Sequence, residues 1–272
     1  DALLQIKHTL HHGFFVVCRQ TIGDEKEESV ISATNWRLLR PSVGGIEGLF
    51  TVINALVFDI DGTVYRHAKY HAEGTRGETA EIASILGYSY EKAEACIAAR
   101  KQEIAVRCGR SATMTETVMS LGVGRAQWNE LRCRAWQPEA WLAHDPVLCA
   151  LLLSLSQRYR IAFGTNSPVA VGRRVLNMLG VSAAVPDVPI FGPESFSVSK
   201  PDPRFFVKIA ETLGISPGNC LSLGDREEAD GTPAIAAGYA DALIVSDGRD
   251  TIISIFSQLF PCNANDTKGV EK

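Results

Sequence analysis

Asp59 and Asp61 stand two residues apart in the stretch Asp59-Ile60-Asp61-Gly62-Thr63-Val64, directly after the apolar run Ala55-Leu56-Val57-Phe58. That run reads as a buried parallel strand, so two carboxylates emerge where a strand ends. Gly62 lets the backbone turn sharply, and Thr63 offers a hydroxyl and an amide. Open α/β sheets bind their ligands at the carboxyl ends of strands. A pair of carboxylates in such a place can hold a hard cation and attack a phosphoryl group.

The elements that must position these acids follow from the patterning. Arg160 to Phe163, Val188 to Phe191, Cys220 to Leu223 and Ala242 to Val245 read as further strands. Leu148 to Tyr159, Pro168 to Leu179, Pro203 to Leu213 and Thr232 to Ala237 read as helices between them. Pro168 opens its helix, and Gly180 and Gly214 stop theirs. This alternation predicts an α/β fold, a doubly wound parallel sheet covered on both faces. From Val64 to about His144 the pattern is helical instead. The reading there is helices over Glu78–Leu86, from a Ser89 cap to about Arg107, Thr113–Leu121 and Gly124–Trp136.

Residues 1–50 form an extension of unplaced role. Phe14 to Cys18 reads as a strand, Asp24 to Ser29 as a charged loop, and Pro41 through Gly48 as a linker. His8, His11 and His12 read as surface histidines, since no cysteine or acid keeps them metal-like company.

The chain of 272 residues has 46% hydrophobic and 21% charged residues and a net charge of −4. That describes an ordinary globular protein and gives no reason to expect nucleic acid or a membrane. Seven cysteines, without a Cys-x-x-Cys spacing, suit a reduced, cytoplasmic setting better than a disulfide framework.

The first motif resembles that of the haloacid-dehalogenase-like (HAD) phosphohydrolases, and three more elements follow in that superfamily's order. Phe163-Gly164-Thr165-Asn166-Ser167 looks like the second motif. Ser199-Lys200-Pro201-Asp202-Pro203 looks like the third, and Leu221 through Asp230 looks like the fourth, with Asp225 and Asp230 five residues apart. The resemblance covers roughly Thr51 to Phe260. It implies a HAD-like Rossmannoid core over 51–66 and 145–262, an inserted helical cap over 67–144, and a C-terminal tail over 263–272.

The same resemblance implies roles. Asp59 is the expected nucleophile, and Asp61 the general acid and base that the dehalogenase branch lacks. Gly62, Thr165, Asn166 and Lys200 are expected to bind the phosphoryl group, and Lys200 also to orient Asp59. Asp59, Asp61 (through its carbonyl), Asp225 (as a direct ligand) and Asp230 (through water or outer contacts) are expected to form a Mg²⁺ site. Glu227 and Glu228 read as supporting or solvated residues. Arg226 departs from the small polar residue of many relatives, either reaching the phosphate or facing water.

Tyr65, Arg66, His67, Arg100, Arg107 and Arg110 are cap-side substrate candidates, with Arg107 and Arg110 singled out. The implied activity is Mg²⁺-dependent hydrolysis of a small phosphate monoester through an aspartyl-phosphate. The Phe58-to-Tyr65 stretch is similar to the pyrimidine 5′-nucleotidase-like branch, with phosphoglycolate and sugar-phosphate phosphatases as competitors. A phosphotransferase or sugar-phosphate mutase and a catalytically idle binding module stay as alternatives. The expected partner is a small phosphorylated metabolite, with no nucleic acid and no membrane; self-association into a homo-oligomer stays open.

Overall fold

The computed structural model describes residues 7–11, 14–18, 36–38 and 45–260, with side chains at Arg37 and from Gly48 onward. Asp24 to Ser29, His12, the side chains of His8 and His11, and the 263–272 tail lie outside the described residues. The chain divides into two compact units. One comprises 1–66, 153–164 and 198–272; the other comprises 67–152 and 165–197.

The first unit is built on a sheet. An antiparallel hairpin of β1 (Lys7–His11) and β2 (Phe14–Cys18) forms a two-stranded sheet of its own. Next come β3 (Trp36–Leu38), α1 (Gly45–Val52) and β4 (Ala55–Phe58). β4 is central. It pairs in parallel with β5 (Arg160–Gly164) on one side and with β7 (Cys220–Gly224) on the other. β7 pairs in parallel with β8 (Asp241–Val245), whose outer edge takes β3 antiparallel.

All four residues of β4 and all five of β7 and β8 are buried, as expected of parallel strands covered on both faces. α10 (Pro203–Leu213) supplies Phe205, Phe206 and Ile209 to this core. α12 (Arg249–Leu259) supplies Ile252 and Phe256. α11 (Thr232–Ala236) leads from the fourth motif back to β8.

The second unit is mostly helical. It holds α2 (Ala68–Leu86), α3 (Tyr90–Cys108), α4 (Met114–Ser120) and α5 (Arg125–Ala135). α6 (Pro146–Ser156) starts in this unit and ends in the other. α7 (Val169–Met178), α8 (Val181–Ala184), β6 (Ile190–Phe191) and α9 (Pro193–Phe196) complete it. Ile82, Ile97, Val118, Val123, Trp128 and Leu131 form one buried cluster among α2 to α5. Ser89 caps α3 by accepting from the Lys92 amide, and Thr113 with Glu116 forms a capping box on α4.

Two readings are corrected. The helix read over Glu78–Leu86 begins ten residues earlier, at Ala68. Gly74 and Gly77 lie where the end of α5 and Trp136 come close to α2. A Cβ on Gly74 would lie 2.5 Å from the Trp136 ring, and one on Gly77 3.2 Å from Ala135. The stretch read as a linker already turns helical at Gly45. The α1 side chain Phe50 packs edge-on against Tyr159, Phe256 and Phe260, at centroid distances of 6.0, 5.6 and 5.8 Å.

Candidate active site

The carboxyl end of β4 delivers Asp59, whose amide donates to the Leu223 carbonyl of β7 at 2.8 Å. The backbone then folds back on itself. The Thr63 and Val64 amides both reach the Ile60 carbonyl, and Gly62 sits at φ +90°. This conformation suits glycine, and the close approach demands it: a Cβ there would lie 2.5 Å from Asp225 Oδ2.

Both oxygens of Asp59 are engaged. Oδ2 accepts from the Thr63 hydroxyl at 3.0 Å, and Oδ1 from the Lys200 ammonium at 2.6 Å. Lys200 is 1% exposed and donates a second bond, at 2.5 Å, to Asp230 Oδ1. Asp230 sits in a π-helical turn, Glu227–Gly231, that follows β7. The Arg226 amide donates to its Oδ2 at 3.2 Å, and the buried Ser222 hydroxyl donates to its carbonyl at 2.7 Å. A short ladder of side-chain and backbone bonds thus fixes this acid against the sheet.

Carboxylate oxygens of Asp59, Asp225 and Asp230 all lie within 4.8 Å of one another. Burial pushes Asp230 up to about 6 against the opposing pull of Lys200. Burial, then the neighbouring Asp59 charge, pushes Asp225 up as well. Burial works to lower Lys200, but Asp230 and Asp59 outweigh it and hold its ammonium above the ordinary lysine range. Three carboxylates therefore share one buried ammonium. Arg226, its side chain 50% exposed, stands at the edge with Nε 3.6 Å from Asp225 Oδ1. That Oδ1 is buried and takes no hydrogen bond. A buried acceptor with no donor, next to two more carboxylates, is a donor set that suits a hard cation.

The remaining sequence candidates have the following surroundings. Thr165 and Asn166, directly after β5, belong to the second unit. There the Thr165 amide donates to the Phe191 carbonyl, and the Thr165 hydroxyl accepts from the Ser167 amide, at 2.9 Å each. Arg107 lies exposed in the last turn of α3. Arg110 pairs with Glu116, whose carboxyl it holds down at about 2. His67 caps α2, its Nδ1 accepting from the Tyr70 amide at 3.1 Å. Arg100 pairs with Glu103 at 3.0 Å. Glu227 pairs with Arg37 of β3, both side chains largely in solvent.

Two functions of residues were not read from the sequence. Thr63 holds Oδ2 of Asp59. Tyr65, 4% exposed, donates its phenol to Asp61 Oδ1 at 2.5 Å. The signal for both lay in the first-motif turn, which brings back side chains four residues on.

An α/β sheet with this lysine-bridged carboxylate cluster at the end of its central strand defines a Rossmann-like hydrolase scaffold. The family model for haloacid dehalogenase-like hydrolases matches residues 53–238, more than half of the chain, and the protein belongs to that family. No curated protein matches it. Similar solved structures include a HAD phosphatase from Thermococcus onnurineus, 21% identical over 70% of this chain and 85% of that one, with a TM-score of 0.48. Another is the putative HAD-hydrolase YfnB from Bacillus subtilis bound to magnesium, 16% identical over 75% and 98%, also at 0.48. A third is the L-2-haloacid dehalogenase from Xanthobacter autotrophicus, 17% identical over 69% and 75%, at 0.41. Among the described residues no helix is long and apolar enough to cross a membrane.

Proposed function

We propose that the protein is a Mg²⁺-dependent phosphatase that hydrolyses a small phosphate monoester through an aspartyl-phosphate on Asp59. The observation that carries this reading is the excess of buried carboxylate around Lys200. Such a cluster favours a bound cation, and a cation beside a lysine-held carboxylate favours attack on an anionic phosphoryl group. Asp59, Asp225 and Asp230 would hold Mg²⁺ by their carboxylates, and Asp61 by its carbonyl. When bound, Mg²⁺ supplies positive charge to the phosphoryl oxygens.

The chain's own residues do the rest. Lys200 and Thr63 fix both oxygens of Asp59, so that its carboxylate is aimed before substrate arrives. Asp59 oxygen attacks phosphorus, and the bond to the leaving oxygen breaks as Asp61 delivers a proton to it. Water then attacks phosphorus, Asp61 takes up its proton, and the bond to Asp59 breaks to release inorganic phosphate. Gly62, Thr165 and Asn166 would supply the phosphate-oxygen contacts expected from the sequence. Nucleotide monophosphates, sugar phosphates and phosphoglycolate are the substrate classes to test.

The test is inorganic-phosphate release from those three classes, with Mg²⁺ and with chelator, for wild type and Asp59→Asn. Release that requires Mg²⁺ and falls by about 10⁴-fold or more in the variant is the expected result. Transfer of phosphate to an added alcohol in place of release would move the reading to a phosphotransferase. Activity that survives Asp59→Asn would overturn it.

A further inference from the structure

We propose that Tyr65 is a positioning residue for the proton-transfer step, acting by holding the Asp61 carboxylate in the orientation from which it serves the leaving group. This inference rests on the phosphatase reading above and adds a residue to it.

The geometry is local and buried. Asp61 and Tyr65 face each other across the first-motif turn as an isolated β-bridge. The phenol donates to Asp61 Oδ1 at 2.5 Å. Tyr65 itself is 4% exposed, so its ring is anchored by packing while Asp61 stays half-buried. An aspartate at the end of a turn has two side-chain torsions to order before it can act. A phenol in fixed packing removes that freedom in advance. The carboxyl group so held is the one that carries the transferable proton.

The chemistry then makes a selective demand. In the first step, Asp59 oxygen attacks phosphorus and the bond to the leaving oxygen breaks while the protonated Asp61 carboxyl passes its proton to that oxygen. A poor leaving group, such as an alkoxide, needs that proton. A good one, such as 4-nitrophenolate, departs without it. A misoriented Asp61 therefore harms alkyl phosphates and spares 4-nitrophenyl phosphate, whereas a general loss of fold harms both alike. kcat/KM is the informative constant, because it ends at the first irreversible step, the departure of the leaving group.

Tyr65→Phe deletes only the hydroxyl. The experiment measures kcat/KM for a simple alkyl phosphate and for 4-nitrophenyl phosphate, at saturating Mg²⁺, in wild type, Tyr65→Phe, Asp61→Asn and the double variant. Tyr65→Phe is expected to lose about tenfold on the alkyl ester and less than about twofold on the nitrophenyl ester, given the 10²–10⁴-fold typical of a whole acid–base group. In the double variant, Tyr65→Phe adds nothing to Asp61→Asn, since the hydroxyl has no carboxylate left to orient. Equal losses on both esters, no loss on either, or additive losses in the double variant would each overturn the proposal. The reading of the site fails separately, by activity surviving Asp59→Asn.

Discussion

Among the described residues each unit buries a cation against acid, and the two clusters keep opposite company. In the sheet-bearing unit Lys200 lies between Asp59 and Asp230, with Asp225 beside them, so negative charge is in excess. In the helical unit Arg132 of α5, its side chain 11% exposed, meets a single acid, Glu78 of α2. The charges there are matched one to one. Glu78 Oε1 accepts from Arg132 Nε at 2.8 Å and from Trp136 Nε1 at 2.6 Å. The other guanidinium nitrogens donate to the Asn166 carbonyl at 2.7 Å and the Ser167 hydroxyl at 3.2 Å. The balanced cluster joins helices to a loop and asks for nothing more. The unbalanced one is tense until something positive arrives, and tension of that kind marks a binding site.

The sharpest way to break this comparison is to neutralise one carboxylate in each cluster. Glu78→Gln leaves Arg132 buried without its counter-charge and is expected to cost about 3–5 kcal/mol, read from denaturant unfolding. Replacing both partners with apolar residues, as in Glu78→Leu with Arg132→Met, recovers most of that loss if the pair is purely structural. Failure to recover would give the pair a task beyond holding the fold.

Asp225→Asn should act in the opposite direction. Without Mg²⁺ it relieves like-charge crowding and a buried acceptor that lacks a donor, and is expected to stabilise the protein by about 1–2 kcal/mol. In the same variant the Mg²⁺ concentration for half-maximal activity rises. A destabilised Asp225→Asn protein would show that the cluster is not under charge tension.

The smallest expected effect is the pH dependence of Mg²⁺ activation. Asp230 is raised, to about 6, so the folded protein binds its proton more tightly than the unfolded chain does. Its contribution to metal-free stability is therefore fully present below the ordinary aspartate range and is lost as pH rises through about 6. For metal the sign reverses. Protons compete for the ligand as pH falls through about 6, and the apparent Mg²⁺ affinity drops by up to about tenfold per pH unit below that. Activation curves at pH 5 and pH 7.5 that superimpose would remove Asp230 from the metal's ligands.

The two clusters also differ in how far the sequence revealed them. Asp59, Lys200, Asp225 and Asp230 were legible because each follows a strand end or a proline-punctuated turn, and strand ends are where local pattern is strongest. Glu78 and Arg132 are 54 residues apart on separate helices, and no short pattern links them. The usable signal was subtler: Glu78 lies one turn from the core residue Ile82, and Arg132 one turn from Trp128, so each puts a charge on an apolar stripe. The Tyr65–Asp61 bond depends on the positive φ of Gly62, which composition does not report. α1, β3 and α12 escaped for another reason. They are held by long-range contacts, through Phe50 with Phe256 and through β3 with β8, rather than by their own periodicity.

β3 lies outside residues 53–238, the span the family model matches, yet it has a consequence for how the protein behaves in solution. Its three residues occupy the outer edge of β8, a fully buried strand of sequence Asp-Ala-Leu-Ile-Val. A bare apolar strand edge is a template on which another chain can add. Removing β3 while keeping β8 would leave the carboxylate cluster intact and expose that edge. The short strand then serves as a guard against aggregation, and the shortest chain able to do the chemistry is not the shortest chain that stays in solution.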